Sequence, residues 1–119
     1  MKPASAKAKG RKLQQHVRDR VLDTFPDLQP GDVRSTSMGA SGADVQLSPA
    51  ALNLFPFAVE TKCQEKLNIW DALEQAHAHS QNGEGAPLLV FKRNRSEVYA
   101  ALPFEDLLIL LTGARVRLR

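Results

Sequence analysis

The segment with the clearest chemistry spans residues 57–64 and reads FAVETKCQ. Its β-branched and aromatic residues predict a β-strand. Because the side chains of a strand alternate between its two faces, Glu60, Lys62 and Gln64 are expected on one face. Charged side chains beside apolar residues are costly to bury without partners. The pattern is therefore typical of a functional site or of a structural ion pair, and an exposed edge strand would also show it.

A second carboxylate comes from Asp44, which begins a predicted strand over residues 44–48 after a stretch of small residues. If this strand pairs with the 57–63 strand, the carboxylates of Asp44 and Glu60 approach within about 6 Å, a spacing that one Mg²⁺ bridges. Two carboxylates at such a distance repel each other unless a cation lies between them. With the Lys62 ammonium beside them, these residues are a plausible set for hydrolysing a phosphodiester.

Eight elements are expected to position these residues. A length of 119 residues suits one domain. Apolar residues recur every four positions from Leu13 to Phe25 and predict a first helix of about 14 residues. Turn residues and alternation predict the remaining elements, which are strands over 32–37, 44–48, 57–63, 87–92 and 97–102, a single helical turn within 49–55, and helices over 67–80 and from Pro103. The predicted fold is a single α/β domain with a mixed central sheet in α-β-β-β-α-β-β-α order.

The basic residues are concentrated at the two ends of the chain. Residues 1–20 carry seven Lys or Arg and one acid, and residues 115–119 carry three Arg. Residues 21–114 carry 12 acids and six bases. Basic ends on an acidic body favour a polyanionic partner such as DNA, although terminal Lys and Arg also serve solubility alone.

This distribution predicts a flexible basic arm over residues 1–9, a folded domain over 10–112 and a basic tail over 113–119. Gly10 is expected to separate the arm from the first helix. Contacts to DNA phosphates are predicted for the Lys and Arg of the arm, of the first helix and of the turn after the fourth strand, namely Lys9, Arg11, Lys12, Arg18, Lys92, Arg93 and Arg95.

Several classes of protein are disfavoured. The longest apolar run is the five residues from Leu107 to Leu111, whereas a membrane span needs about 20. A single cysteine, Cys63, forms no intramolecular disulfide and favours a reducing, cytoplasmic setting, which for a viral protein is the cytoplasm of its host. No apolar stretch of a secretory signal follows the basic N-terminus, although the lack of acids in residues 1–18 leaves an organellar presequence open.

Asp44 with Glu60-Thr61-Lys62, set in this order of elements, resembles the PD-(D/E)xK nuclease superfamily. Within it, the chain is most similar to Holliday-junction resolvase-like proteins and small phage-type endonucleases, over about residues 10–111. Residues 10–15, GRKLQQ, begin the first helix as in those proteins. Residues 67–76, LNIWDALEQA, are similar to the helix after the catalytic strand, in which many members carry a functional Gln.

The resemblance implies a restriction-endonuclease-like fold and metal-dependent cleavage of DNA, with branched or junction DNA among the candidate substrates. Asp44, Glu60 and the main-chain carbonyl of Thr61 would bind Mg²⁺, for which Mn²⁺ can substitute. Lys62 would orient the attacking water, and Gln75 would contact that water, Lys62 or a backbone phosphate. Because one chain has one site, cutting two strands implies a homodimer.

Two departures from the family pattern leave alternatives open. The first helix offers Gln14, Gln15 or His16 where resolvases often carry a Glu. The residue before Asp44 is Ala43, whereas the family name refers to a proline there. A missing third carboxylate favours a non-catalytic DNA-binding protein that keeps the fold. A third reading is a nuclease subunit that needs a partner.

The second helix contributes further polar residues. His77 and His79 are two positions apart, so they are expected on different faces and make a poor metal pair. Trp70 is expected in the core as part of an apolar stripe. Gln75 is expected either at the site or on the solvated side of the helix. The same two alternatives hold for Gln64, which shares the face of Glu60.

Overall fold

The computed structural model describes residues 3–36, 42–81, 83 and 85–113. These residues form four α-helices and a five-stranded mixed sheet. In chain order the elements are α1 (Pro3–Thr24), a 3-10 turn (Pro30–Asp32), β1 (Val33–Ser35), β2 (Val45–Leu47), α2 (Pro49–Leu54), β3 (Phe57–Cys63), α3 (Ile69–Ser80), β4 (Ala86–Lys92), β5 (Tyr99–Ala101) and α4 (Phe104–Gly113). The predicted single α/β domain with a mixed sheet is confirmed, and the turn expected within 49–55 is α2.

The strands lie side by side in the order β1-β2-β3-β4-β5. Only β3 and β4 are parallel, with α3 as their crossover, and the other neighbours are antiparallel. Val45 pairs with Val59, which places Asp44 beside the Glu60–Lys62 segment. The sheet topology therefore brings the two carboxylate-bearing segments together, as their predicted pairing requires.

The two faces of the sheet are covered differently. The apolar residues of α1 pack on one face, where the buried cluster includes Leu13, Val17, Val21, Val33, Val45 and Val59. On the other face α3 packs over β3 and β4 and buries only Ala72 and Ala76. These small side chains let the helix approach the sheet closely. The expectation that Trp70 lies in the core is therefore wrong, since its side chain is 74% exposed.

Helix α1 begins earlier than the sequence predicts. It runs without interruption from Pro3 through Gly10, so Gly10 does not separate an arm from the helix. A glycine inside a helix costs only about 1 kcal/mol relative to alanine, and the residues around Gly10 are Ala, Lys and Arg, which favour helix. Pro3 suits the first turn because it needs no hydrogen-bonded N–H there. Residues 1–2 and the predicted tail beyond Gly113 lie outside the described residues.

Helix α4 follows the edge strand β5 and has no buried residue. Phe104 is 70% exposed and Ile109 is 65% exposed, and Tyr99 of β5 is 54% exposed. This part of the surface is therefore unusually apolar. Among the described residues, no helix combines the length and apolar character that crossing a membrane requires.

Candidate active site

Glu60 is a buried acid at the centre of β3, with 6% of its surface exposed. One carboxylate oxygen, Oε1, lies 3.0 Å from Nε2 of His79, and the other, Oε2, lies 3.6 Å from Nζ of Lys62. Burial raises the pKa of Glu60, and the negative charge of Asp44 raises it further, while Lys62 and His79 lower it. Lys62 and His79 thus stabilise the ionised carboxylate less than burial and Asp44 destabilise it.

Asp44 is the residue just before β2, next to the position where β2 pairs with β3. Its backbone N–H donates to the carbonyl of Val59 at 2.9 Å, and its carbonyl accepts from the N–H of Thr36, also at 2.9 Å. Its carboxylate oxygen Oδ2 accepts from the N–H of Thr61 at 2.7 Å and from the Thr61 hydroxyl at 3.1 Å. The side chain therefore bridges the two strands and is fixed by main-chain hydrogen bonds on both sides.

The structure brings Asp44, Glu60 and Lys62 together at this junction. Lys62 contacts Glu60 directly. Asp44 lies within electrostatic reach of Glu60, because its charge raises the pKa of that residue. The separation of about 6 Å between the two carboxylates stays a prediction.

This junction fits a cation that needs few protein ligands. The described residues contain no group of three or more His, Cys, Asp or Glu placed to hold a metal. Mg²⁺ does not require such a group, because it is commonly held by one or two carboxylates and keeps several waters or phosphate oxygens. The repulsion that raises the pKa of Glu60 is the interaction that a cation beside Asp44 would relieve.

His79 is a site residue that the sequence prediction missed. The sequence predicts that His77 and His79 make a poor metal pair and that His77 is a packed histidine. The packed position is wrong, since His77 is exposed and contacts Gln81 at 2.9 Å. His79, however, lies seven residues after Ala72 and three after Ala76, which are the residues that α3 buries. That helical spacing was the signal that His79 faces the sheet and reaches Glu60.

The glutamines take different positions. Gln75 is exposed one helical turn before His79, and within the described part of the chain it makes no hydrogen bond to Asp44, Glu60 or Lys62. Its catalytic role stays a prediction. Gln14 is the buried one of the three first-helix candidates, with 3% of its surface exposed, and it accepts a hydrogen bond from the Ser35 hydroxyl at 2.9 Å.

Five of the seven predicted DNA-contacting residues come together and form what we call the basic surface: Lys9, Lys12, Lys92, Arg93 and Arg95. They line two cavities of about 370 and 640 Å³ between α1 and the turn after β4. Lys9 joins these elements, since its Nζ donates to Oδ1 of Asn94 at 2.7 Å. This hydrogen bond joins residues that are 85 positions apart in the sequence.

Arg11 and Arg18 lie elsewhere. They are seven residues apart on a different stripe of α1 and line neither cavity. Arg18 forms a 2.8 Å ion pair with its neighbour Asp19. The helix therefore divides the predicted contacts between two of its sides.

The basic surface lies beyond the carboxyl ends of β3 and β4. In the parallel pair, Cys63 is opposite Lys92, so the turn that carries Arg93 and Arg95 follows the carboxyl end of β4. Glu60 is three residues before Cys63, which corresponds to about 10 Å along a strand. The cavity that Lys9 and Lys12 line is on the α1 side of the sheet, beside Leu13 and Cys63, whereas Glu60 faces His79 of α3 on the other side.

No family model, curated protein or solved structure matches this chain. The assignment of a function therefore depends on the chemistry and geometry of the residues described above.

Proposed function

We propose that the protein is a metal-dependent DNA nuclease of the PD-(D/E)xK type, with a restriction-endonuclease-like fold. The observation that carries the proposal is the buried Glu60, held between Lys62 and His79 within electrostatic reach of Asp44. A structural ion pair alone would not need a second carboxylate that makes the charge of Glu60 more costly. A phosphodiesterase needs that pair of acids to hold a cation.

Each residue then has a defined task. Asp44 and Glu60, with the carbonyl of Thr61, hold Mg²⁺, which when bound polarises the phosphodiester and lowers the pKa of a water. The hydrogen bond between His79 and Glu60 fixes the orientation of that carboxylate. Lys62, on the same face of β3, positions the attacking water and offsets the negative charge that develops on the phosphate.

Binding of Mn²⁺ to the DNA-free protein tests the metal site. Titration followed by electron paramagnetic resonance should show binding that Asp44→Asn weakens by more than about tenfold, because a ligand is lost. Asp27→Asn, which changes an exposed acid in the turn after α1, should bind like the wild type. Since the pKa of Glu60 is raised, its proton competes with the metal, and affinity should increase as the pH rises through that pKa. Equal Mn²⁺ binding by Asp44→Asn and the wild type would exclude the proposed site.

The proposed partner is DNA, duplex or branched, bound through the basic surface. The double variant Lys12→Gln, Arg95→Gln removes two exposed charges from it. The slope of log K against log salt should become less steep by up to about 1.8, since each phosphate contact contributes about 0.9. The matched control is Arg20→Gln, which removes an exposed charge paired with Asp23. A slope that changes equally in both variants would contradict a specific role for the basic surface.

Two other readings have observations in their favour. The first helix offers Gln14, Gln15 or His16 where resolvases often carry an acid, which favours a DNA-binding protein without cleavage. A nuclease subunit that needs a partner is the third candidate. The exposed apolar residues of β5 and α4 support the proposed homodimer, since large exposed apolar patches mark interfaces. Sedimentation equilibrium distinguishes a dimer from the single chain of 13.1 kDa.

A further inference from the structure

A cavity of about 390 Å³ opens on β1 and β2 beside the candidate active site. Ala43 and Val45, the two chain neighbours of Asp44, both line it. Arg34 of β1 and Gln46 of β2 also line it, and the register places them directly opposite each other. The cavity therefore adjoins Asp44 and presents one basic and one amide side chain from paired positions. Its volume is within the range of sites that hold a small ligand.

Strand alternation assigns these side chains to one face of the sheet. Val33 and Val45 belong to the core under α1. Arg34 and Gln46, each the next residue along its strand, therefore point to the opposite face, and both are exposed. That is the face on which α3 lies and on which His79 contacts Glu60.

The charge of Arg34 is not neutralised by a described partner. The Arg and Lys ion pairs among the described residues join Arg18 to Asp19, Arg20 to Asp23 and Lys62 to Glu60. Arg34 is in none of them, and of the described residues that line the cavity it is the only charged one. It is also the only Lys or Arg between Arg20 and Lys62 in the sequence. Within the described part of the chain, the Arg34 guanidinium thus has no ion-pair partner and lines a cavity that both chain neighbours of Asp44 also line.

We infer that this cavity binds a phosphodiester group of the DNA strand, next to the group that is hydrolysed, with Arg34 as its main ligand. The inference rests on the proposed nuclease function and adds a second position at which the strand is held. The guanidinium fork matches two phosphate oxygens, and the Gln46 amide supplies a neutral donor beside it. Along β2, Gln46 is two residues from Asp44, or about 7 Å. The bound DNA strand would then cross β2 between Arg34 and the carboxylates.

Fluorescence anisotropy with a labelled duplex, in Ca²⁺ and over a range of NaCl concentrations, tests this inference. Arg34→Gln should weaken binding about tenfold at low salt and make the salt slope less steep by about 0.9. Arg34→Lys keeps the charge and should preserve the slope, with a smaller loss of affinity because the fork is absent. Arg20→Gln is the matched control and should behave like the wild type. Thermal melting checks that the variants are folded. Competition by excess inorganic phosphate shows whether the cavity binds free phosphate as well as it binds the phosphodiester of a DNA strand.

The outcomes separate the inference from the function on which it rests. Cleavage by the wild type with unchanged binding by Arg34→Gln would overturn the phosphate cavity and leave the nuclease proposal intact. A flattened slope in Arg34→Gln, with no cleavage by the wild type, would support the cavity in a DNA-binding protein that does not cut. Competition by inorganic phosphate as effective as that by unlabelled duplex would overturn the assignment of the cavity to a DNA strand. Absence of DNA binding by the wild type would overturn both.

Discussion

Replacement of Lys62 by alanine is expected to lower the rate of DNA cleavage by at least about 100-fold, because the attacking water loses its positioning group and the transition state loses a nearby positive charge. The carboxylates of Asp44 and Glu60 remain, so Mn²⁺ binding should persist. DNA affinity should change by less than about tenfold, because a single phosphate contact at most is removed. Single-turnover cleavage at saturating protein measures the rate apart from binding.

Two variants make the Lys62 result interpretable. Lys66→Ala removes an exposed lysine from the loop after β3 and should cleave like the wild type. Glu60→Ala should weaken metal binding and cleavage together. If Lys62→Ala cuts at the wild-type rate and Glu60→Ala does not, Lys62 is only a structural partner of Glu60. If both cut at the wild-type rate, this strand does not carry the activity.

Gly85→Ala is expected to destabilise the protein by at least about 2 kcal/mol, because two costs act together. Gly85 has a φ of +102°, in the region that residues other than glycine rarely adopt. An added Cβ would also lie 2.8 Å from backbone atoms of Pro56 and Phe57. These atoms belong to the start of β3, so relief of the contact would disturb the β3–β4 pairing. Thermal unfolding should show a midpoint roughly 10 °C lower.

The other glycines provide a graded control for Gly85. Gly83 has a φ of +77° but open space around the position of a Cβ. Gly83→Ala should therefore cost only about 1 kcal/mol, from the backbone conformation alone. Gly31→Ala has neither a close contact nor a positive φ and should be nearly neutral. Equal melting temperatures for the Gly83 and Gly85 variants would show that the close approach of residue 85 to β3 is not present in solution.

The strand that carries the candidate site was predictable because its pattern is local. Strand β3 spans the predicted residues 57–63, and its alternation places Glu60 and Lys62 on one face. The approach of Asp44 to Glu60 was predicted on the condition that these two strands pair, and β2 does pair with β3. The single α/β domain with a mixed sheet is confirmed.

Features that depend on contacts between distant segments were not predictable. The face that α3 buries is set by how closely the helix packs on the sheet. Ala72 and Ala76 therefore face the interior, whereas Trp70 is exposed. The pairing of His79 with Glu60 joins residues 19 positions apart. Arg34 is not predictable as a site residue, because a three-residue strand gives little periodicity and because residues of β1, β2 and the Gly83 turn together line its cavity.

The most direct measurement of the central claim is cleavage of a panel of duplex, nicked, junction and single-stranded DNA, with Mg²⁺ or Mn²⁺ and with EDTA. The wild type should cleave at least one DNA with metal and none with EDTA, and Glu60→Gln should cleave none. Because burial raises the pKa of Glu60, its ionised form lowers stability above that pKa, so Glu60→Gln should melt at the same or a higher temperature at neutral pH. An inactive but fully stable Glu60→Gln variant is the predicted result. Cleavage by Glu60→Gln at the wild-type rate, or no cleavage by the wild type under conditions that saturate DNA binding, would contradict the account.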